Sequence, residues 1–357
     1  MDVLEVLKRR KEVIDKKILG FFNSYIEESK NVSERLEEYL EWIKDFNVRG
    51  GKRLRPSFFI TGYQCVGGKD MESIMEACLS IEAMEGYLLI HDDIMDRDEL
   101  RRGKITLHKA FEKMYRKKFG EEGAEHFGIS LAILGGDITN IIGKEILLKS
   151  NFPVDKKIEA LKIYINADKT TNMGQMLDII TEKLPLKDVK EEDILTIFKL
   201  KTSKYTIEAP LQMGAVLGGG TEKDLKILSD YAIPLGQAFQ IQDDILGMFG
   251  DEKKIGKPIY SDLKEGKRTL LIIYAYQNGN PEQKKKILAS LGNPNVTEEK
   301  LEEIRKIVIE TGSLDYSKKL AKELASRVKP IIEKSNFTKE GKEYLIGIAD
   351  FLINREL

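Results

Sequence analysis

The chain has 357 residues, 41% of them hydrophobic, which is enough to bury one large core. Its 58 Lys and Arg are balanced by 59 Asp and Glu, and this balance argues against a general nucleic-acid-binding protein. Its two cysteines form neither a disulfide framework nor a metal-binding spacing. The charged N-terminal segment is unlike a signal peptide, and no apolar run approaches about 18 residues, so we expect a cytoplasmic protein without stable membrane insertion.

The N-terminal part of the chain has apolar residues at helical spacing, with charged faces between them. This pattern predicts helices over residues 2–28 and 33–46, the second with Ser33 as its N-cap. Pro56 is expected to open the next helix, so residues 50–55 would form a loop. Such a loop would deliver basic side chains to a helix N-terminus, whose free N–H groups favour anions.

Helical spacing continues through the rest of the sequence, without a strand-like alternation of any length. Further helices are predicted over residues 129–148, 156–180, 191–217, 222–249, 267–278, 281–291, 298–311, 313–333 and 339–354. Pro210 and Pro234 fall inside these patterns and are expected to kink them. Residues 113–125 are polar and predict an exposed loop or a helix extension. The sequence therefore predicts an all-α protein, with a single domain over residues 1–357 that forms a helical bundle around a deep central cavity.

Residues 91–96, His-Asp-Asp-Ile-Met-Asp, form an acidic motif at the end of an apolar helical run. On a helix, Asp92 and Asp96 lie about 40° apart on one face, and Asp93 lies on its flank. Carboxylates this close repel one another, and a divalent cation removes that cost. A few oxygen ligands without a full cage suit Mg²⁺ that is shared with substrate phosphates. A solvated acidic helix end is the alternative interpretation of this motif alone.

A second acidic motif, Asp243-Asp244, follows another apolar helical run about 150 residues later. Two such helix ends could face each other across one cavity and hold a diphosphate between metal ions. We expect several basic residues near these motifs to lack carboxylate partners of their own. They are Lys52, Arg53, Arg55, Arg101, Arg102, Lys201, Lys257 and Lys267. Acidic and basic groups in this number predict a site for two polyphosphate groups.

In their order and spacing, these motifs resemble those of short-chain trans-isoprenyl diphosphate synthases, particularly the archaeal-type geranylgeranyl diphosphate synthases. The resemblance covers nearly the whole chain and rests on residues 50–56, 92–103, 174–178, 201–202, 239–244, 256–258 and 261–262. It implies an all-α homodimer with its active site at the mouth of a deep apolar pocket. It also implies Mg²⁺-dependent condensation of isopentenyl diphosphate with dimethylallyl, geranyl or farnesyl diphosphate to give geranylgeranyl diphosphate. This chemistry proceeds by ionisation, condensation and proton loss, and it requires no Ser, Cys or His nucleophile.

The resemblance implies a role for each matching residue. The residues that would hold about three Mg²⁺ ions on the allylic diphosphate are Asp92, Asp96 and Asp243, with Asp93 and Asp244 in support. The groups that would bind this diphosphate are Arg101, Lys201 and Lys257. The groups that would bind isopentenyl diphosphate are Gly51, Lys52, Arg55 and Arg102, and Lys267 is a further substrate-binding candidate. The side chains that would place dipoles near the allylic cation are Thr202 and Gln240, while Gln175 and Asp178 would support the metal and lysine network.

Two positions depart from the pattern of the family. Gly247 stands where many relatives carry a third aspartate, as it often does in archaeal-type members. Glu85, seven residues before the first aspartate, stands where relatives usually carry a His or Gln that helps to bind the homoallylic diphosphate. On an ideal helix Glu85 lies about 20° from Asp92. Either Glu85 pairs with a basic residue such as Arg53, or isopentenyl diphosphate binds weakly, or the chain serves as a partner subunit.

The helix before Asp92 also bears on the length of the product. In relatives, a bulky aromatic residue five positions before the motif limits the growing chain, and here that residue is Tyr87. Relatives that stop at fifteen carbons often have a second aromatic residue at the next position, which is Leu88 here. The resemblance therefore implies twenty carbons, with fifteen as the alternative. A helical wheel instead turns Tyr87 about 140° away from Asp92 and places Leu88, Met84 and Ile81 beneath it.

Two other functions are compatible with a chain of this kind. A terpene cyclase usually replaces the second Asp-Asp motif by an Asn/Ser/Glu pattern, which this sequence does not have. A non-catalytic subunit that modulates another synthase tends to lose its metal-binding aspartates, and this sequence retains them. The sequence therefore favours a chain-elongating prenyltransferase over both alternatives.

Overall fold

The computed structural model describes residues 2–250 and 261–353. These residues form two compact units. The N-terminal unit comprises Asp2–Tyr164 with Pro210–Gly220, and the C-terminal unit comprises Ile165–Ala209 with the described part of Thr221–Leu357. Helices make up nearly all of both units, so the predicted all-α class is confirmed. Within the described residues, no helix is both long enough and apolar enough to cross a membrane.

The N-terminal unit contains the first seven helices. They are α1 (Val3–Ser29), α2 (Glu37–Val48), α3 (Leu54–Cys65), α4 (Met71–Ala77), α5 (Leu79–Met95), α6 (Leu107–Phe119) and α7 (Ala124–Lys149). A short 3₁₀ turn at Glu34–Leu36 leads into α2. Between α5 and α6, strand β1 (Leu100–Arg101) pairs in antiparallel fashion with β2 (Lys104–Ile105). Helices α5 and α6 both pack along α7.

The remaining helices follow in chain order. They are α8 (Val154–Lys183), α9 (Glu191–Ile197), a π-helical segment (Phe198–Glu208), α10 (Ala209–Leu217), α11 (Glu222–Phe249), α12 (Ser261–Glu265), α13 (Leu270–Asn278), α14 (Pro281–Ser290), α15 (Glu298–Glu310), α16 (Ser313–Ser326), α17 (Val328–Glu333) and α18 (Lys339–Ile353). In the C-terminal unit, α11 packs against the π-helical segment and α16. Its apolar face, with Ile241 and Ile245 fully buried, belongs to the core of that unit.

Local capping signals explain why several helices begin or end where the sequence predicts. Ser33 accepts a hydrogen bond from the backbone N–H of Arg35, as expected of an N-cap residue. Thr221 and Asp224 form a capping box at the start of α11, whose bounds agree with the prediction. Gly67 follows α3 with φ +89°, a backbone conformation that glycine adopts without steric cost.

Some predictions of local structure are wrong. Helix α3 begins at Leu54 and not at Pro56, so Arg55 lies in the first helical turn and not in a loop. The segment predicted as one helix over 191–217 contains a π-helical segment, and the one over 313–333 is two helices. The pattern also missed α4, α6 and the β1–β2 pair; residues 113–119 are the C-terminal part of α6, so the helix-extension alternative is the right one for them.

A buried arginine ties four segments of the N-terminal unit together. Arg53 is 4% exposed, and its guanidinium forms ion pairs with Asp15 of α1 and Glu82 of α5. It also donates hydrogen bonds to the backbone oxygens of Asn47 and Val48 at the end of α2. The sequence-based expectation that Arg53 has no carboxylate partner is therefore wrong. Because Glu82 is also buried, its carboxylate relies on the guanidinium of Arg53 for compensation.

We expect Arg53→Met to destabilise the protein by about 3–5 kcal/mol, since it would leave the Glu82 carboxylate buried without its cation. The free energy of unfolding in urea measures this loss. The double variant with Glu82→Met should recover much of the stability, because a buried ion pair can often be replaced by apolar side chains. Arg9→Met, which breaks the exposed pair with Glu5, is the matched control and should change the stability little. A single variant as stable as the Arg9 control would contradict the structural role of Arg53.

Candidate active site

The first acidic motif lies at the C-terminal end of α5. Asp93 is completely buried, Asp92 is half-buried, and Asp96 is the C-cap residue of the helix. Arg101, on strand β1, forms ion pairs with Asp92, Asp93 and Asp98. The β1–β2 pair therefore places the guanidinium of Arg101 against aspartates that precede it in the sequence. Arg101 is engaged by carboxylates, contrary to the expectation from the sequence.

Burial raises the pKa of Asp93 to about 7, even though the neighbouring Arg101 lowers it. Its Oδ1 atom is hydrogen-bonded to Arg101, while its Oδ2 atom is buried without a hydrogen-bond partner among the described residues. A buried carboxylate oxygen without a donor is costly. A cation at this position would satisfy it.

A second group of charges lies further back on the same helix. Glu85 forms ion pairs with Arg55 of α3, at 2.7 Å between Oε2 and Nη1, and with Arg102, at 3.1 Å between Oε1 and Nη2. The structure thus supports the expectation that Glu85 pairs with a basic residue, although Arg53, the partner suggested from the sequence, contacts Glu82 and Asp15. Burial raises the pKa of Glu85, but Arg55 and Arg102 lower it by more, so it lies below its usual value.

The loop before α3 completes this second group. An added Cβ atom at Gly51 would lie 3.0 Å from Nη2 of Arg102, so the guanidinium packs closely against this glycine. Lys52 is exposed beside it. The structure therefore brings Gly51, Arg55, Arg102 and Glu85 together in the N-terminal unit.

The four candidate chain-length residues differ in burial. Ile81 and Met84 are fully buried, Tyr87 is 3% exposed, and Leu88 is half-buried. The ring of Tyr87 packs edge-on against His91, whose Nε2 atom lies 3.1 Å from the backbone oxygen of Ile133 on α7. Tyr87 therefore packs beside a residue that contacts α7.

The second acidic motif lies near the C-terminal end of α11. Gln240 accepts a hydrogen bond from the Thr202 hydroxyl at 2.8 Å and donates one to Oδ1 of Asp244 at 2.9 Å. Burial and the neighbouring Asp262 raise the pKa of Asp244 well above its usual value. The Oδ2 atom of Asp244, like that of Asp93, is buried without a hydrogen-bond partner among the described residues.

Lys201 and Thr202 belong to the π-helical segment, and Asp178 belongs to α8. The ammonium group of Lys201 lies 2.8 Å from Oδ2 of Asp178. A π-helical stretch changes the direction of successive side chains, and such stretches are frequent at functional sites. Pro210, shortly after the end of this segment, has no N–H group to donate to an α-helical hydrogen bond.

These side chains surround a cavity of about 110 Å³ in the C-terminal unit. Its polar lining includes Asp178, Lys201, Thr202, Gln240, Asp244, Asp262, Lys267 and Arg268. Lys267 lies 2.8 Å from Glu265, so it too has a carboxylate partner. Asp262 and Arg268 line the cavity but were not among the site residues named from the sequence. Asp262 could have been found from its place in the motif at residues 261–262, and Arg268 from its position directly after Lys267. Lys257, with Gly256 and Pro258, lies outside the described residues.

The chemistry of the acidic groups fits a divalent metal ion. Their donors are carboxylate oxygens, the ligands that Mg²⁺ prefers. Asp93 and Asp244 each keep one buried oxygen without a donor among the described residues. Within that same part of the chain, no three His, Cys, Asp or Glu side chains converge as a ready-made metal cage. This arrangement fits a metal ion that takes only a few protein ligands and completes its coordination with substrate oxygens.

Comparisons with known proteins point to one family. A model of the polyprenyl synthetase family matches residues 37–308. The chain is 32% identical over 352 residues to the geranylgeranyl diphosphate synthase of Sulfolobus acidocaldarius, covering 94% of this chain and 99% of that protein. It is 33% identical over 311 residues to the geranylfarnesyl diphosphate synthase of Aeropyrum pernix, covering 86% of this chain and 91% of that one.

The fold agrees with these relatives. The crystal structure of the geranylgeranyl pyrophosphate synthase of Corynebacterium glutamicum, complexed with isoprenyl diphosphate and magnesium, matches with a TM-score of 0.93 at 29% identity. The match covers 98% of this chain and 99% of that one. The chain therefore belongs to the polyprenyl synthetase family. The family inferred from the motifs is confirmed.

Gly174 on α8 permits a close backbone contact that positions Lys201. An added Cβ atom would lie 2.7 Å from the backbone nitrogen of Lys201, so Gly174→Ala must displace α8 or the π-helical segment. We expect this variant to lower turnover by about tenfold to a hundredfold, because small displacements of catalytic groups have large effects. Gly20→Ala, which meets no atom within 4 Å, is the control for the change in helix propensity and should retain full turnover. Equal turnover of both variants would show that this contact does not position Lys201.

Proposed function

We propose that this protein condenses isopentenyl diphosphate with an allylic diphosphate to give geranylgeranyl diphosphate and diphosphate. The allylic substrates are dimethylallyl, geranyl and farnesyl diphosphate. The observation that carries the proposal is the pair of acidic helix ends, each with one buried carboxylate oxygen lacking a donor among the described residues, in a member of this family. The names of the relatives support the reaction class, while the Aeropyrum pernix protein, named for a longer product, indicates that sequence identity alone does not decide the product.

We propose Mg²⁺ as the cofactor, at about three ions per active site. Asp92, Asp96 and Asp243 are the proposed ligands, with Asp93 and Asp244 in support. The Corynebacterium glutamicum enzyme, whose crystal structure is a complex with magnesium and isoprenyl diphosphate, supports this assignment. When bound, Mg²⁺ would neutralise the charge that develops on the departing diphosphate.

The proposed roles of the basic residues follow from the charge of the substrates. Arg101, Lys201, Lys257 and Lys267 bind the allylic diphosphate and stabilise it as it departs. Of these cations, Arg101, Lys201 and Lys267 are largely held in place by their carboxylate partners, so they need little reorganisation as charge develops. The residues that bind isopentenyl diphosphate are Gly51, Lys52, Arg55 and Arg102, with Glu85 beside them.

Thr202 and Gln240 are proposed to stabilise the allylic cation. The hydroxyl of Thr202 donates to Gln240, and the amide of Gln240 donates to Asp244, so both groups already act as donors within the protein. Thr202 and Gln240 both line the cavity. The Thr202 oxygen keeps its lone pairs, and Oε1 of Gln240, which accepts from that hydroxyl, keeps a second acceptor position. Such oriented dipoles favour a nearby positive charge. The cation is then attacked by the double bond of isopentenyl diphosphate, and the departing diphosphate takes up the proton that is lost.

We further propose that residues 1–357 act as one isoprenyl diphosphate synthase domain and that two copies form a homodimer. Support for the dimer comes from exposed large apolar residues of α7, namely Ile133, Leu134, Ile141 and Leu148. The cytoplasm is the proposed location, supported by Cys65 and Cys78, which are both buried thiols and not joined in a disulfide. A modulating subunit of another synthase is the second candidate function, favoured only by the departure at Glu85.

Purified protein incubated with labelled isopentenyl diphosphate, each allylic primer and Mg²⁺ tests the function directly. We expect Asp92→Ala and Asp243→Ala each to lower turnover by a factor on the order of a thousand while the protein remains folded, because neither side chain packs in a core. Asp350→Ala, which removes an exposed aspartate of α18, is the control. Turnover within a few-fold of wild type in either site variant would defeat the proposal of two acidic metal sites, and an inactive wild type would favour the modulating subunit.

Product length is proposed to depend on α5 upstream of Asp92. We expect Tyr87→Ala, with farnesyl diphosphate as primer, to give products longer than those of the wild type. Tyr87 is the single aromatic residue of the four candidates, so its removal opens the largest space. Leu88→Ala and Met84→Ala are the comparison variants. If they lengthen the product while Tyr87→Ala does not, the limit lies on the face of α5 that carries Asp92. Thin-layer or mass-spectrometric sizing of the products distinguishes the two results.

A further inference from the structure

The carboxylate of Glu85 occupies both arginines that are proposed to bind isopentenyl diphosphate. One oxygen accepts from Arg55 at 2.7 Å, and the other accepts from Arg102 at 3.1 Å. The side chains of Glu85 and Arg55 are only 12% and 15% exposed, so this is not a loose surface pair. Short contacts between ionised groups that are partly shielded from water are much stronger than those at the surface.

The position of Arg102 is fixed by more than Glu85. Its Nη1 atom donates to the backbone oxygen of Arg49 at 2.7 Å, and its backbone has a φ of +54°, which is unusual for a residue with a side chain. Gly51 lies against the same guanidinium. Arg102 therefore has contacts that would hold it in place without the carboxylate.

We propose that Glu85 is an internal anion that competes with the diphosphate of isopentenyl diphosphate for Arg55 and Arg102. This inference rests on the proposed function of the two arginines. Each oxygen of Glu85 accepts a hydrogen bond from a guanidinium N–H that would otherwise be available to a phosphate oxygen. The incoming diphosphate must displace the carboxylate or bind beside it, and in both cases two like charges come close together.

A selective effect on one substrate follows from this geometry. Glu85 lowers the net charge of the group formed with Arg55 and Arg102 from +2 to +1, so the homoallylic diphosphate is bound more weakly than by the arginines alone. The proposed allylic site depends on other cations, Arg101 and Lys201, which pair with other carboxylates. Glu85 thus sets the affinity for one substrate and leaves the other nearly unchanged.

The test is Glu85→Gln, which removes the charge at nearly constant size. Binding of isopentenyl diphosphate to the full-length protein with Mg²⁺ and without primer is measured by calorimetry, and both KM values are measured under turnover. We expect about tenfold tighter binding of isopentenyl diphosphate, a similar decrease in its KM, and an unchanged KM for farnesyl diphosphate. Glu85→Ala, which also removes the hydrogen-bonding group, should change the affinity in the same direction.

Asp45→Asn is the matched control. Asp45 lies in the same unit and also bridges two basic side chains, those of Arg49 and Lys104, but it contacts neither Arg55 nor Arg102. Asp45→Asn removes one negative charge, as Glu85→Gln does, but from a different carboxylate of the unit. We expect it to leave the affinity for isopentenyl diphosphate within about twofold of wild type, since this half-buried carboxylate forms no ion pair with either arginine of the proposed site.

Unchanged or weaker binding by both Glu85 variants would overturn the inference, and weaker binding would assign Glu85 the role of holding the arginines in place. Loss of cooperative unfolding in both variants would overturn it too, since the carboxylate would then be structural. An equal gain in affinity in the Asp45 control would reduce the effect to overall charge. If the wild type turns over isopentenyl diphosphate but the Glu85 variants do not bind it more tightly, only the inference is refuted. A wild type that neither binds nor turns over this substrate refutes the proposed function as well.

Discussion

The packing of the N-terminal unit depends on the buried guanidinium of Arg53. Its charge is removed from water, and such a charge is tolerated only when several partners surround it. Those partners come from α1, α2 and α5, so all of these segments must be in place together. The pairing of Arg53 with Glu82 also places α3 beside α5 in one register. Arg55 follows Arg53 by two residues, and Glu85 follows Glu82 by three residues on α5. These two side chains then meet as a second ion pair.

The same balance of charge governs both acidic motifs. In the N-terminal unit, Arg101 compensates the aspartates at the end of α5. In the C-terminal unit, Gln240 and Thr202 orient Asp244, while Asp178 holds Lys201. Both sites are thus largely organised before a ligand binds, which reduces the reorganisation needed during reaction. The remaining buried oxygens of Asp93 and Asp244 are the positions at which a metal ion would gain the most.

Glu85 illustrates why the site could be predicted only in part. Helical spacing places Glu85 on the side of α5 that carries Asp92, and the structure agrees that it faces basic residues. The spacing could not identify which basic residues, because a periodic pattern describes one helix and contains no information about the register of its neighbour. That register is determined by the buried pair of Arg53 and Glu82. Without it, the sequence suggests Arg53 as the partner of Glu85, although the residue that contacts Glu85 is Arg55.

The sequence by itself determined the all-α class, most helix bounds, both acidic motifs and the family, since these depend on apolar periodicity, capping residues and motif spacing along the chain. Only the tertiary structure decided that residues 198–208 are π-helical and that Gly174 contacts the backbone of Lys201. It also decided that six of the basic residues have carboxylate partners, namely Arg53, Arg55, Arg101, Arg102, Lys201 and Lys267. These features arise from packing between segments that lie far apart in the chain. A contact of that kind depends on the volumes and charges of both partners at once, and local sequence patterns do not encode it.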